Sequence, residues 1–443
     1  MRRTRMTVAA TALAGALLTG CGSGDGGGTG TGPDHKGGSG ASRGAAPVKL
    51  AVPPEYDGGK GWDQEIDWVP QDADVDPVTT DGETVAYIIR SGNGYAVQAR
   101  DGATGKVRWT SASYRTPAVD SQDRIAVDTP RLTTVRQGGR SYFAAWAVGE
   151  QPGDALTKNQ ELTQINIYPA DSSGSSVAPL HHVSVPVSTL RSGPVKVRDS
   201  GAGLLVMWNS TPPGSATVDA ATGKVTGYDE EHPFNCGSDC SFDGVVAVTR
   251  KGPVVNATSQ GFLVPGGWTS SDIAPKNVND GTFFGVDHGM FVVHWRSADV
   301  WSVHDLQSGR LLASTACDNG LEYNEYSPIT SPNGTYLAFG SVVFDVKTGK
   351  GLCQAGDKTR RSFKIAALAD DGTAYGVPDD ETRYGVAKDT PGPTPVVELN
   401  VSTGSPKALP QGTLAPVATL NGGAVFTQRE NGAGLRLSVR QKR

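Results

Sequence analysis

The sequence predicts an all-β repeat fold, on three observations. A strand, a small-residue turn and a second strand recur along the chain, most clearly in Asp101-Gly102-Ala103-Thr104-Gly105-Lys106 and Asp345-Val346-Lys347-Thr348-Gly349-Lys350. Glycine supplies 58 of the 443 residues, nearly twice the usual share of about 7%, and beyond the N-terminal stretch it falls at turn positions. No part of the body carries a sustained 3.6-residue apolar stripe.

Residues 1–20 have the three parts of an export signal. Arg2, Arg3 and Arg5 are followed by an apolar run from Thr7 to Leu18, then by Leu18-Thr19-Gly20-Cys21. The run is shorter than the ~20 residues a spanning helix needs. With small residues before a cysteine, it predicts a lipoprotein signal peptide cut ahead of a lipidated Cys21. Residues 21–47 then form a tether, mostly Gly, Ser and Thr. Such a composition buries too little apolar surface to fold. About 23 residues of it have an r.m.s. span of roughly 25–30 Å. The expected location is the extracytoplasmic face of the cell membrane.

Charge narrows the partner classes. The chain has 40 Lys+Arg against 45 Asp+Glu. Without the three signal-peptide arginines the balance is about −8, which disfavours nucleic acid and provides no polybasic patch for lipid.

The remaining residues, 48–443, read as one domain because they repeat. A first turn recurs at Asp81-Gly82, Gln122-Asp123, Gly201, Asp243-Gly244, His288-Gly289, Asn333-Gly334, Asp371-Gly372 and Asn421-Gly422. A second recurs at Gly105, Gly174, Gly223, Gly261, Gly309, Gly349 and Gly404. Asx-Gly and Thr-Gly pairs supply the positive φ that tight hairpins need. Between turns lie short alternating segments such as Val85–Ile89 and Tyr95–Ala99, the pattern of half-buried strands. Four such strands per ~40–50 residues predict a β-propeller of four-stranded antiparallel blades. Counting first turns gives eight blades. Seven is the alternative, because the unit at 241–267 is weakly patterned. Val48–Val52 is the strand expected to complete the last blade and close the ring.

Asp101–Trp109, an Asp-x-x-Thr-Gly-Lys-x-x-Trp string, resembles the repeat of the PQQ-like (quinoprotein) propellers. With the signal and tether, the chain distantly resembles the BamB-type propeller lipoproteins of outer-membrane assembly. Only Trp109 matches the tryptophan of that repeat; Gly227, Ala313, Cys353 and Ala408 stand at the equivalent places. The resemblance implies the fold. Quinoprotein dehydrogenases of this fold use an adjacent cysteine pair, and Cys236 and Cys240 are separated by three residues. No cofactor is therefore expected.

Other chemistry-like strings read as turns. Asp72-Ala73-Asp74-Val75-Asp76-Pro77 imitates a calcium loop, but Pro77 stands where a sharp glycine turn is required. The Gly-Lys pairs lack the spacing of a phosphate loop. His181, His182, His288, His294 and His304 share no zinc-type spacing, so no metal site is expected.

The reading is a membrane-anchored binding or scaffolding module with a protein or cell-envelope partner. The alternative is a secreted enzyme, carbohydrate-active or dehydrogenase-like, with a pocket at the channel mouth. Two disulfides are expected of an exported chain: Cys236–Cys240 as a local staple, and Cys317–Cys353 between adjacent outer strands. Docking is expected on the longest unit, where Arg131, Arg136 and Arg140 accompany Tyr142 and Trp146, because arginine and aromatics concentrate at interface hot spots.

Overall fold

The computed structural model describes residues 47–70, 77–118, 129–187, 195–208, 214–228, 242–257, 261–276, 278, 280–318, 327–356, 358–378, 395–429 and 434–443. Residues 1–46, which hold the expected signal peptide, Cys21 and nearly all of the expected tether, lie outside these residues, as do Cys236, Cys240 and the Asp72–Asp76 string.

The described chain is all-β with propeller-like sheets. It opens with β1 (Tyr56–Ile66), which belongs to the last sheet. Sheet 1 holds β2 (Val78–Thr80), β3 (Thr84–Ser91), β4 (Gly94–Asp101) and β5 (Val107–Ser111). Sheet 2 holds β6 (Arg131–Gln137), β7 (Arg140–Gln151), β8 (Gln160–Pro169) and, beyond an excursion through β9 (Gly174–Val177), β10 (His181–Pro186). Sheet 3 is β11 (Lys196–Asp199), β12 (Leu204–Trp208), β13 (Gly214–Val218) and β14 (Val225–Tyr228). Sheet 4 has β15 (Phe242–Thr249), β16 (Gly252–Ala257) and β17 (Gly261–Leu263), followed by the one-turn α1 (Ser270–Ile273).

Sheet 5 is β18 (Gly281–Asp287), β19 (Met290–Trp295), β20 (Val300–Asp305) and β21 (Leu311–Ala316). Sheet 6 is β22 (Ile329–Thr330), β23 (Tyr336–Phe339), β24 (Val342–Asp345) and β25 (Lys350–Cys353). Sheet 7 is β26 (Phe363–Leu368), β27 (Thr373–Pro378), β28 (Val397–Asn400) and β29 (Ser405–Ala408). Sheet 8 is β30 (Ala418–Leu420), β31 (Gly423–Arg429) and β32 (Leu435–Lys442), with β1 as its fourth strand. Within each sheet, chain neighbours pair antiparallel. Two outer edges also take a parallel strand: β9 on β5, and β25 on β21 through Ser314 and Lys350.

The second turn recurs for a visible reason. In Asp101–Gly105 the Asp101 carboxylate accepts the Thr104 backbone N–H at 2.8 Å, and Gly105 takes φ +69°. The same contact recurs from Thr222 to Asp219, Ser308 to Asp305, Thr348 to Asp345 and Thr403 to Asn400. An acceptor at the first position, and a residue free to adopt positive φ at the fifth, close the hairpin with its polar groups satisfied.

Large side chains of one sheet dock on turns of the next. Trp62 in β1 donates its indole N–H to Gly102 O at 3.2 Å, Trp109 in β5 donates to Ala170 O at 3.1 Å, and Trp268 after β17 donates to Leu306 O at 3.2 Å. A histidine performs the same task between sheets 2 and 3, with His181 Nε2 at 2.8 Å from Ala221 O. The core lies between facing sheets; Trp109, Phe143 and Tyr168, all buried, fill the space between sheets 1 and 2.

Several sequence expectations are corrected. Val48–Val52 is not a strand; β1 at Tyr56–Ile66 pairs with β32 instead, from Tyr56–Lys442 to Ile66–Leu435. The expected first turn at Gln122-Asp123 lies outside the described residues, and the β6–β7 hairpin of sheet 2 turns at Gly138–Gly139. Asp243-Gly244 lies inside β15, which turns only after Thr249. Gly174 begins β9, outside the antiparallel order of sheet 2, whereas Gly261, opposite Ala257 at the start of β17, takes φ +70° as expected of a turn glycine. The expected outer-strand bridge is present: Cys317 and Cys353 are disulfide-bonded with Cα atoms 5.4 Å apart, joining sheets 5 and 6. No helix among the described residues is long and apolar enough to cross a membrane.

Candidate functional site at the inner turns

The first strand of each sheet ends in a turn, and several of these turns meet. Gly82, at φ +101°, lies so close to the sheet 6 turn that a Cβ there would stand 3.0 Å from Pro332 Cβ. Only glycine meets both demands.

Arg136, near the end of β6, is the hub. Its backbone N–H donates to Asp199 Oδ2 at 3.1 Å, and its Nη2 donates to Asp81 O at 3.3 Å. Nη1 lies 3.8 Å from Asp287 Oδ1. Asp287 Oδ2 in turn accepts the Thr330 hydroxyl at 2.8 Å, and His288 Nδ1 is 3.3 Å from the same hydroxyl oxygen. One polar cluster therefore draws on sheets 1, 2, 3, 5 and 6.

Asp199 is the chemically distinctive member. Burial pushes its carboxyl up to about 7, and the like charge of Asp287 adds to the rise. The N–H bonds from Gly201 and Arg136, with the Arg136 charge, pull the other way without cancelling it. Burial dominates because the group is surrounded by protein while its nearest full cation faces Asp287 as well. On the same strand, burial lowers Arg198 to about 10 while its Nη2 donates to Val246 O at 3.1 Å. His288 is lowered by burial first and by Arg136 second. The arrangement can hold or release a proton near neutral pH, and it presents two carboxylates around one guanidinium.

The residues singled out in the sequence occupy three places. Arg131 stacks over Trp146 at 5.3 Å, and Arg140 over Tyr142 at 5.9 Å. The β6–β7 register puts these pairs at opposite ends of the hairpin, with Trp146 facing Arg131 and Arg140 facing Gln137. Tyr142 and Trp146 are buried. Arg136 alone reaches the inner turns. Sequence reasoning missed Asp199 and Asp287. Their signal was an Asp preceding a turn glycine by one or two residues, which many turns share. Among the described residues, no group of three or more His, Cys, Asp or Glu is placed to hold a metal ion.

No family model matches the sequence. No curated protein matches it either. Among solved structures, the chain is similar to the WD40 domain of SCAP from fission yeast. Identity is 10%, over 86% of this chain and 96% of that chain, with a TM-score of 0.34. The fold described above rests on the strand pairing of this chain.

Proposed function

We propose that this chain is an exported, lipid-anchored β-propeller with eight four-stranded blades, acting as a binding module for a protein or cell-envelope partner. The observation carrying the proposal is a cycle of contacts between successive sheets. Thr79 bonds Thr134, Arg136 bonds Asp199, and Val248 N–H bonds Ser200 O. Trp268 bonds Leu306, Thr330 bonds Asp287, and Ile365 N–H bonds Gly340 O. The Thr419 hydroxyl bonds Leu368 O, and Asn421 N–H returns to Gly82 O in sheet 1 at 2.9 Å. Each sheet thus protects the next, and the β1–β32 pairing covers an edge that would otherwise invite another chain.

Export and anchoring are supported by the charged, apolar and Leu18–Cys21 segments and by the disulfide joining sheets 5 and 6. The binding role is supported by the long β7–β8 hairpin, which holds Leu156 96% exposed at its tip. Asp154 Oδ1 accepts the N–H groups of Leu156 and Thr157 at 2.8 Å, so the tip is shaped by its own hydrogen bonds.

Two experiments test the reading. Mass spectrometry of the membrane fraction should find an acylated peptide beginning at Cys21, and Cys21→Ala should release the protein. An unmodified Cys21 peptide refutes the anchor. Deleting residues 149–158 should leave the protein folded and weaken capture of its envelope partner; unchanged capture refutes the hairpin as the docking element.

A further inference from the structure

The groove between sheets 6 and 7 has a charge opposite to that of the chain as a whole. It is lined by Arg360 and Arg361 on the segment after β25, by Lys407 on β29, and by the apolar Phe363, Val397 and Ala408. The cavity is about 260 Å³. No acidic side chain is among the described residues lining it. In the sequence, Lys358, Arg360, Arg361 and Lys364 place four cations within seven residues of a chain whose net charge is −5.

We propose that this groove binds a phosphate monoester carrying a small apolar group. Arg360, Arg361 and Lys407 line one concavity, with Glu398 opposite Lys407 in the β28–β29 register, and a monoester carries roughly −1.5 to −2 at neutral pH where a carboxylate carries one charge. Arginine's planar fork suits phosphate oxygens, and lysine adds a mobile point charge. The apolar lining contributes what inorganic phosphate cannot use. Phe363 is 6% exposed and Val397 half-buried, so an organic group seated there shields itself from water against carbon. The volume lies below the ~300–1,000 Å³ of drug-sized sites, which limits the ligand to one phosphate and a small substituent. The cations sit on two separate elements, β29 and the 358–362 segment. A merely solvated charge run would lie along one. This inference rests on sheets 6 and 7 and is independent of lipidation and of blade number.

The test is titration of the full-length protein with phenyl phosphate, inorganic phosphate and benzoate at low salt, followed by calorimetry and phosphorus NMR. Phenyl phosphate should bind one to one, with inorganic phosphate and benzoate each weaker by about tenfold. Arg361→Glu with Lys407→Glu should abolish binding while leaving the thermal midpoint in place, both side chains being exposed. If that pair disturbs folding, Lys407→Gln alone should weaken binding severalfold. Vesicles of phosphatidylglycerol, a diester at a surface, should compete poorly. Equal affinity for benzoate, an undiminished double variant, or binding to vesicles without binding to phenyl phosphate would each overturn the proposal.

Discussion

The guanidinium of Arg440 lies 2.8 Å from Asp63 Oδ1, which ties the last strand, β32, to the first, β1. Arg440 is fully buried. It also donates to the carbonyls of Val48, Gly58 and Trp62, at 2.6, 3.0 and 3.1 Å. Chain ends separated by nearly the whole sequence are thus held by one side chain.

Arg440→Ala should therefore destabilise the fold by about 3–5 kcal/mol, the range for removing one partner of a buried pair. The loss leaves Asp63 and four carbonyls, that of Val439 included, without their cation. Arg440→Lys should recover part of it, since one ammonium cannot serve all five acceptors. Urea unfolding measures both. A loss below about 1 kcal/mol for the alanine variant would place the closure elsewhere.

Asp199 predicts a pH-dependent stability of definite sign. Its folded-state value of about 7 lies above the ordinary 3.8, so the native state holds the proton more tightly than the unfolded chain. The contribution is fully present below about pH 4 and is lost as pH rises through about 7. Asp199→Asn should remove this fall, so the variant should gain on wild type by on the order of a few kcal/mol between pH 4 and 8. Parallel stability profiles for the two proteins would refute the assignment.

His304 works against that slope in the same window. Burial lowers it to about 4. Trp295 Nε1 donates to Ser302 Oγ at 2.7 Å, Ser302 Oγ is 2.8 Å from His304 Nε2, and His304 Nδ1 is 3.0 Å from Gly309 O. With the Nδ1 proton on the carbonyl, Nε2 accepts from the serine, so the neutral ring satisfies the whole chain. Its folded value lies below the unfolded 6.5, so stability is lost as pH falls from about 6.5 toward 4. In the Asp199→Asn background this acid loss adds to those of His288 and His294, which burial also lowers, and His304→Gln should reduce it. Ring NMR shifts of His304 that titrate near 6.5 in the folded protein would refute the account.

Reduction of the Cys317–Cys353 bridge, which spans 36 residues, should cost about 2–4 kcal/mol. Cys317→Ser with Cys353→Ser should lower the thermal midpoint by the same amount as reductant lowers that of wild type. Peptide mapping should recover the 317–353 linked pair from unreduced protein. Recovery of both as free thiols would refute the bridge.

Trp109 shows how far the sequence could be read. Its place after a Thr-Gly-Lys turn marked it as part of a repeat, and it does dock on the next sheet. Trp62, Trp268 and His181 do the same from other offsets and with another ring. A local pattern sees the offset, whereas docking needs only a ring donor near a carbonyl. The closing strand failed for a related reason. Val48–Val52 has the apolar character of a strand, yet β1, with three glycines in eleven residues, pairs with β32 because its partner supplies the ladder.

By itself the sequence determined the all-β class and the recurrent Asx-x-x-Thr-Gly hairpin, and it predicted the Cys317–Cys353 bridge that the structure holds. Each depends on local backbone geometry or on a regular repeat, both of which are written in consecutive residues. Tertiary structure alone decided that Arg136 joins Asp81, Asp199 and Asp287, and that Arg361 and Lys407 face one groove. Those relationships bring together residues 46 to 151 positions apart in the chain. Their energies come from burial and from the sum of neighbouring charges, which depend on distances that no local pattern encodes.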